Sequence, residues 1–521
     1  MGTLVAAAAL VAAPTAPADW PMFGQNLSNT ASNSSAITTR NVRDMRVKWA
    51  ITTGGDVSAR AAVVNDVVYF PDWGGNLWAV AAKNGKKIWS HQLSDYGLSG
   101  SSNGVYHSRT TPAVVGGTLY LGTQEGAYLL AIDAATGALR WKTRMEPSDP
   151  YAIVTTSPAV HNGVVYSGVA SIAEGGIAYG IYPVPEVRGS AVAVDAETGV
   201  LMWKTYMVPQ GYSGGGVWGS NPVVDASRNT VFVSTGNNYI HPADSAESSQ
   251  PGQTYGECIA AGGNAATCNS PNDHVDAVVA LDMRTGAVKW SQKLVTWNQS
   301  GYGVTDGSDD WNVDCFFGGP SCPSNPGPDY DFGSTPNLIT YQGANGPVTI
   351  LGAGQKSGIY SAMNPDTGQL LWQTQVGPGS SLGGMEWGSA SDGKRIYVQI
   401  ANFYGIPHLG GYGGSWAALD PATGQILWQT ADPNGSIALG PLSVSNGVVY
   451  GGSMAGDASA PTMLARDAAT GQILWSFAAG ASVNAGAAIV GDSIYWGAGY
   501  THLGIPGYTG SNKFFAFVAK S

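Results

Sequence analysis

A short unit recurs along this chain with fixed punctuation: an apolar stretch, Asp-x-x-Thr-Gly, then a second stretch ending in Trp. It is clearest in AIDAATGALRW (131–141), AVDAETGVLMW (193–203), ALDMRTGAVKW (280–290), ALDPATGQILW (418–428) and ARDAATGQILW (465–475), with weaker copies at 79–89 and 362–372. Alternating apolar residues on both sides are a strand signal. Asp, Thr and Gly suit a tight turn through side-chain hydrogen bonds and a positive φ. Upstream of most copies stands a second strand–turn–strand pair, such as TPAVVGGTLYLG (111–122) or SPAVHNGVVYSG (157–168). One unit is therefore a four-stranded antiparallel meander. Its sheet is apolar on both faces and must stack against neighbours, which is the logic of a β-propeller.

The repeat tryptophans fall at 49, 89, 141, 203, 290, 372, 428 and 475, which predicts eight blades. RVKW (46–49) is a final strand with no strands ahead of it, while the last unit, AAIVGDSIYWG (487–497) with NKFFAFV (512–518), has no terminal Trp. The fragments complete each other. The expected fold is an all-β, eight-bladed propeller of four-stranded antiparallel blades, its ring closed by an N-terminal strand completing the last blade. Such closure removes free sheet edges that would otherwise aggregate. The eight repeat tryptophans are expected to pack between blades, and Trp218 in GGGVWGS (214–220) lies outside their phase.

Residues 19–521 read as a single propeller domain with long insertions at 204–280 and 291–350. These lie in the two longest intervals between repeat tryptophans, 87 and 82 residues, which also hold all four cysteines. Loops this long are usually functional or disordered, and on a propeller they gather at one mouth of the channel. Only 11% of residues are charged and 73 of 521 are Gly, which fits a turn-rich all-β chain and argues against disorder. A net charge of −11 provides no basic stripe for nucleic acid.

Cys258, Cys268, Cys315 and Cys322 form two close pairs in Gly/Pro/Asn-rich loops. Three pairings are open, local pairing is preferred, and disulfides point to an oxidising, periplasmic or secreted setting. LVAAAALVAAPTAPA (4–18) resembles a signal h-region with a small-residue cleavage site, although no Lys or Arg precedes Arg40. Residues 1–18 therefore read as a clipped or mis-started signal segment. The run is too short to span a bilayer comfortably, so no membrane span is expected.

Several motifs lead nowhere. GYSGG (211–215) matches G-x-S-x-G but lacks the strand–turn–helix context of a nucleophile elbow. The acidic DGSDDWNVDC (306–315) has calcium-type oxygens without EF-hand spacing and reads as a solvated loop. The histidines show no H-E-x-x-H.

The repeated A-x-D-x-x-T-G-x-x-x-W resembles the pyrroloquinoline quinone (PQQ) dehydrogenases, with most similarity to the polyvinyl-alcohol-dehydrogenase-like branch. That resemblance implies site residues. Trp218 in GGGVWGS would stack under the quinone, and Asn237 in STGN would bind its calcium. Asp331 in DYDFGSTP (329–336) would be the catalytic base and a metal ligand, with Gly333 two residues on favouring calcium over a lanthanide. Lys356 in QKSGIYSAM (355–363) would hydrogen-bond the quinone carbonyl, and Arg109 in HSRTTPAV would grip a PQQ carboxylate. Glu174 in SIAEGG (171–176) is the implied calcium-binding carboxylate, with Glu186 as its rival. His107 and Trp387 are further cofactor-binding candidates. Many family members cover the other quinone face with a disulfide between adjacent cysteines, which this chain lacks; Tyr106 and His107 are the substitutes on offer.

The set makes chemical sense by itself. A flat, multiply carboxylated quinone needs an aromatic floor and cations, and calcium takes carboxylate and amide oxygens. The expected function is PQQ- and calcium-dependent oxidation of secondary alcohols, polymers such as polyvinyl alcohol included, with electrons passing to a separate acceptor, a c-type cytochrome. The alternative is a non-catalytic periplasmic scaffold or binding propeller, since assembly lipoproteins use similar blades without a cofactor.

Overall fold

The computed structural model of the chain describes residues 19–175, 187–219, 221–294, 315, 322, 328–502 and 507–519. Residues 1–18, Glu186 and the acidic stretch 306–315 apart from Cys315 lie outside them.

The chain forms an eight-bladed propeller of four-stranded antiparallel sheets. The first blade runs through Ala62–Val64, Val67–Pro71, Asn76–Ala81 and Lys87–Gln92, and the same order repeats as far as Ser443–Ser445, Val448–Gly452, Met463–Asp467 and Ile473–Phe477. In the eighth sheet, Ala488–Val490, Ser493–Gly497 and Lys513–Val518 are joined by Arg46–Thr52 as the outer strand, antiparallel to Lys513–Val518. The third blade carries an extra strand, Ala152–Ile153. Central strands such as Val448–Gly452 are buried throughout, whereas outer strands such as Ile426–Ala431 are only partly covered. A sheet stacked on both faces has no solvent side, which is why its middle strands read as continuous apolar runs.

Each blade is clasped to the next in the same way. The indole Nε1 of Trp49, Trp89, Trp141, Trp203, Trp290, Trp372, Trp428 and Trp475 donates to the carbonyl of Ala82, Ala134, Ala196, Met283, Pro365, Pro421, Ala468 and Met45, at 3.0–3.2 Å. Most of these carbonyls belong to the residue after the turn's Asp or Asn. The turn's Gly lies against the same ring: a Cβ on Gly471 (φ +75°) would sit 2.6 Å from Trp428 Cε3. The Asp closes the turn, as where Asp467 Oδ1 accepts from Ala469 N and Thr470 N. The repeat thus encodes a turn and the seat for its neighbour's tryptophan.

In such a meander the Asp-x-x-Thr-Gly turns and the first hairpin turns share one end of the channel. Connections between second and third strands, and between blades, share the other. Across the first end runs the segment Trp20–Ala36. It hydrogen-bonds to seven of the eight blades, among them Val114 N to Pro21 O (2.8 Å), Val224 N to Leu27 O (2.9 Å), Leu338 N to Ser28 O (3.0 Å) and Val444 N to Ala31 O (2.9 Å). The long connection after Thr230–Ser234 carries the helix Tyr255–Ala260, started by a Thr254–Glu257 capping box, and the disulfide Cys258–Cys268. Cys315 pairs with Cys322.

Replacing Gly471 by Ala should destabilise the protein by about 2–4 kcal/mol, combining the left-handed backbone cost with overpacking. Gly480→Ala, with φ +77° but nothing within 4 Å of the new methyl, should cost only about 1 kcal/mol. Urea unfolding of the two variants measures the difference, and equal midpoints would remove the role given to the Trp–Gly seat.

Candidate active site

Arg109, Trp218, Asn237, Asp331, Lys356 and Trp387 lie on the connections at the open end of the channel. Asp331 enters on the segment leading into blade five. There Phe332 packs into the core between blades four and five, while Asp329, Asp331 and Gly333 face the channel side. Alternation along the chain therefore puts two carboxylates and one glycine on the same face. Asp331 is fully buried. Its Oδ2 accepts from Trp218 Nε1 at 2.7 Å, and its Oδ1 pairs with Lys356 Nζ. The same Nζ donates to Asp329 Oδ1 at 3.0 Å. Lys356 is positioned by its backbone N–H, which donates to Asp331 O (3.2 Å).

Glycines make this contact possible. A Cβ on Gly236 would lie 2.8 Å from Asp331 Oδ2 and 3.2 Å from Trp218 Nε1, and one on Gly333 would meet the Trp218 six-membered ring at 2.8 Å. In GGGVWGS, Gly214 (φ +101°) and Gly215 (φ +65°) need the left-handed backbone, and Gly215 N donates to Asn237 O at 2.9 Å. Trp218 and Asn237, 19 positions apart, are thus stitched into one wall. Asn237 is fully buried; its Nδ2 donates to Asn238 O (2.8 Å), while its Oδ1 has no donor among the described residues. Such an oxygen costs about 1–3 kcal/mol unless a ligand satisfies it.

Arg109 lies with Cζ 4.4 Å from the centroid of Trp387 and 5.9 Å from that of Trp218. The two indoles meet edge to face at 5.7 Å. His107 Nδ1 meets Glu125 Oε1 at 2.7 Å, and its backbone N–H donates to Glu125 Oε2 at 2.6 Å. That carboxylate holds a proton on Nδ1 and leaves Nε2 as the free ring atom. Tyr106 is buried in the core between the first two blades, so only His107 of that pair remains available. Glu174 lies in the 3-10 turn Ile172–Gly175; its side chain is outside the described atoms, as is Glu186.

Reading the sequence alone misses two buried carboxylates. Asp329 shared a motif with Asp331, and its position two residues away on an extended segment was the available signal. Glu386, beside Trp387, carried no signal of its own. Burial is the main cause pushing Asp329 up, with Lys356 opposing it and Asp331 adding to it. Burial likewise pushes Glu386 up to about 7, against the pull of Lys356 and Arg109. The site thus joins Asp329, Asp331 and Glu386 to Lys356 and Arg109 around two indoles.

A calcium ion suits part of this donor set: the unpartnered Asn237 Oδ1 and the carboxylate of Asp331 are hard oxygens. A planar, carboxylated quinone suits Trp218, Lys356 and Arg109, with glycines at 236 and 333 leaving the close space that side chains would fill. Among the described residues, no cluster of three His, Cys, Asp or Glu forms a ready metal cage.

Fold and site together define a ring-closed propeller with a buried acid–lysine–tryptophan centre at one channel mouth. The chain belongs to the family whose model is described as outer membrane protein assembly factor BamB, which matches residues 11–169, 108–292 and 355–512. Its homologues include a polyvinylalcohol dehydrogenase from Pseudomonas sp., 28% identical over 470 residues, covering 84% of this chain and 65% of that one. A second, from Sphingopyxis sp. (strain 113P3), is 28% identical over 420 residues, covering 75% of this chain and 56% of that one. The chain therefore spans less than two thirds of the length of either relative. A solved quinohemoprotein alcohol dehydrogenase from Comamonas testosteroni shares the fold, with a TM-score of 0.71 at 19% identity over 96% of this chain and 80% of that one. The resemblance drawn from the repeats and site motifs is borne out by these relatives.

Glu386 supplies a test of the electrostatics. Its folded value of about 7 lies above the ordinary 4.5, so the fold favours the protonated form. The stability this confers is complete below about 4.5 and is lost as pH rises through 7. In cofactor-free protein, Glu386→Gln should match wild type near pH 3.5 and exceed it by up to about 3 kcal/mol at pH 8.5, read as a pH-dependent gap in thermal unfolding. A gap independent of pH would contradict the assignment.

Proposed function

We propose that the protein is a PQQ- and calcium-dependent alcohol dehydrogenase acting on secondary alcohols, polymeric ones such as polyvinyl alcohol included. One observation carries this reading: Asp331, fully buried, is held between the Trp218 indole and the Lys356 ammonium, against Gly236, whose neighbour Asn237 has a buried amide oxygen without a donor among the described residues. The names of the relatives support it. A non-catalytic scaffold has no use for three buried carboxylates around one lysine.

When bound, the quinone supplies the hydride acceptor and calcium the Lewis acid that polarises it. Asn237 Oδ1 and Asp331 would hold the metal, with Glu174 as the third proposed ligand. Trp218 would form the aromatic floor, while Lys356, Arg109, His107 and Trp387 would hold the quinone's oxygens and edge. Asp331 would act as general base, taking the hydroxyl proton as the carbinol hydrogen leaves as hydride. Each carboxylate oxygen accepts more than one hydrogen bond, so the Trp218 and Lys356 contacts leave Asp331 capacity for the alcohol. Those contacts also fix the carboxylate's orientation. Asp329, on the other side of Lys356, holds the ammonium in place. Electrons would then pass to a separate acceptor, a c-type cytochrome, in a periplasmic or secreted setting that the two disulfides suit.

Reconstitution with PQQ and calcium should give dye-linked oxidation of secondary alcohols. Asp331→Asn should lower kcat by about 10²–10⁴-fold while retaining bound quinone, since it removes the base and keeps the side-chain shape. Absence of oxidation across a panel of primary, secondary and polymeric alcohols would overturn the proposal.

A further inference from the structure

The connection between the second and third strands of the sixth blade, residues 401–414, lies at the open end of the channel and leaves apolar side chains in water. Tyr412 is 70% exposed, the highest value for a large apolar side chain among the described residues, with Tyr404 at 56% and Leu409 at 44%. The loop that carries them is built firmly. Buried Asn402, at φ +54°, donates through Nδ2 to Ile406 O (2.8 Å), Tyr412 O (3.1 Å) and Gly413 O (3.0 Å), and its Oδ1 accepts from Ile406 N (3.0 Å). His408 and Gly411 exchange backbone bonds across the tip at 2.8 and 3.0 Å. Tyr404 Oη shares a hydrogen bond with Ser381 Oγ at 2.7 Å, which ties the loop to the connection carrying Glu386 and Trp387. Polar groups thus staple the loop from inside while apolar ones face water, an arrangement that stability does not require and that marks interaction surfaces.

The loop is continuous with the site. Phe403, its ring 6.1 Å from that of Tyr404, packs in an apolar cluster with Leu439, Tyr500 and Trp387, and Trp387 meets Trp218 edge to face. Charge is missing here: residues 396–419 contain no Asp, Glu, Lys or Arg. The flanking connections at the same end, 376–389 and 432–442, add only Glu386 and Asp432, both buried. Three neighbouring connections therefore present no exposed charge. Transient protein partners are steered by complementary charge, which this lip does not offer. A neutral ligand fits it.

We propose that Tyr404, Leu409 and Tyr412 form an accessory binding site for a neutral, hydroxyl-bearing polymer chain, holding one stretch of it while another reaches Asp331. The proposal rests on the dehydrogenase reading for what happens at Asp331, and places a second point of contact away from the reacting atoms. Tyrosine suits such a chain because its ring covers CH and CH2 groups while its Oη exchanges hydrogen bonds with hydroxyls. A chain held at the lip presents its hydroxyls to the acid centre at a raised local concentration, a gain that a small alcohol does not receive.

Affinity electrophoresis of the cofactor-free protein, in gels with and without polyvinyl alcohol, reads the lip directly. The polymer should retard wild type, and Tyr412→Ala and Tyr404→Ala should each weaken binding by about threefold to tenfold, with Tyr412→Phe retaining most of it. After reconstitution with PQQ and calcium, kcat/KM for polyvinyl alcohol relative to that for pentane-2,4-diol should fall by a similar factor in the two alanine variants. Retardation that depends on the tyrosines, without oxidation of either alcohol, upholds the lip and removes the dehydrogenase reading. Oxidation without retardation, or with a ratio unchanged in both alanine variants, overturns the lip and leaves the dehydrogenase standing. Slower reduction of an added c-type cytochrome at an unchanged ratio assigns the lip to a protein partner and likewise overturns the proposal.

Discussion

Everything in this molecule hangs on one contact made eight times, an indole N–H on the backbone carbonyl of the neighbouring blade. A single such hydrogen bond contributes about 1 kcal/mol net, and the buried ring beneath it contributes more through the area it removes from water. Its importance is geometric as much as energetic. The bond fixes how far each sheet is rotated from the last, so that Trp475 meets Met45 O on the N-terminal strand and no blade is left terminal. Because the ring closes, the inner strands stand in a fixed circle. Side chains on the connections above them then converge on one axis without any dedicated scaffold. The segment Trp20–Ala36 closes the opposite end, bonding to inner strands whose own edges would otherwise be open.

The same contact explains why so much of the fold was legible. A residue demanded at every blade leaves a periodic trace, and the Trp, Asp and Gly of the repeat are such residues. The trace conveys the number of sheets and the pairing of the two chain ends. It says nothing of Trp20–Ala36, whose bonds are made by backbone groups that any residue can supply. The site was legible where a side chain is tied to a local glycine pattern, as with Trp218 after Gly214–Gly216 and Asn237 after Gly236. Glu386 was not, because its environment is assembled from Lys356, Arg109 and the Asp329–Asp331 segment, which come from three other places along the chain. Burial that depends on such convergence cannot be read from neighbours in sequence.

The charge balance of the site is itself informative. Lys356 serves Asp329 and Asp331 together, Glu386 has no ion-pair partner within reach among the described residues, and Arg109 lies on an indole rather than on a carboxylate. A site built for stability alone would pair these groups or replace them with apolar ones, since unpaired buried charge is unfavourable. Keeping them apart leaves acidic oxygens on one side and a free guanidinium on the other. On the proposed reading, that separation matches a ligand whose cationic and anionic parts are distinct: a metal towards Asn237 and Asp331, and carboxylates towards Arg109.

Trp387 stands where these two halves meet, and its backbone shows what holding it there costs. Its φ of +62° is left-handed, a conformation that costs a bulky residue about 1–2 kcal/mol. The surroundings enforce it from both sides: Trp387 N donates to Gly333 O at 2.9 Å, and Thr335 Oγ1 donates to Trp387 O at 3.0 Å. These bonds belong to a two-stranded parallel pairing of Ser334–Thr335 with Trp387–Gly388 that is part of no blade. Glycine would adopt the same backbone without strain, so the side chain is the reason for the tryptophan. Its ring carries Arg109 on one face, abuts Trp218, and lines a cavity that Arg60 borders. One strained indole therefore sets the distance between the acid centre and the arginine-lined cavity, and a change in its backbone would be felt by both.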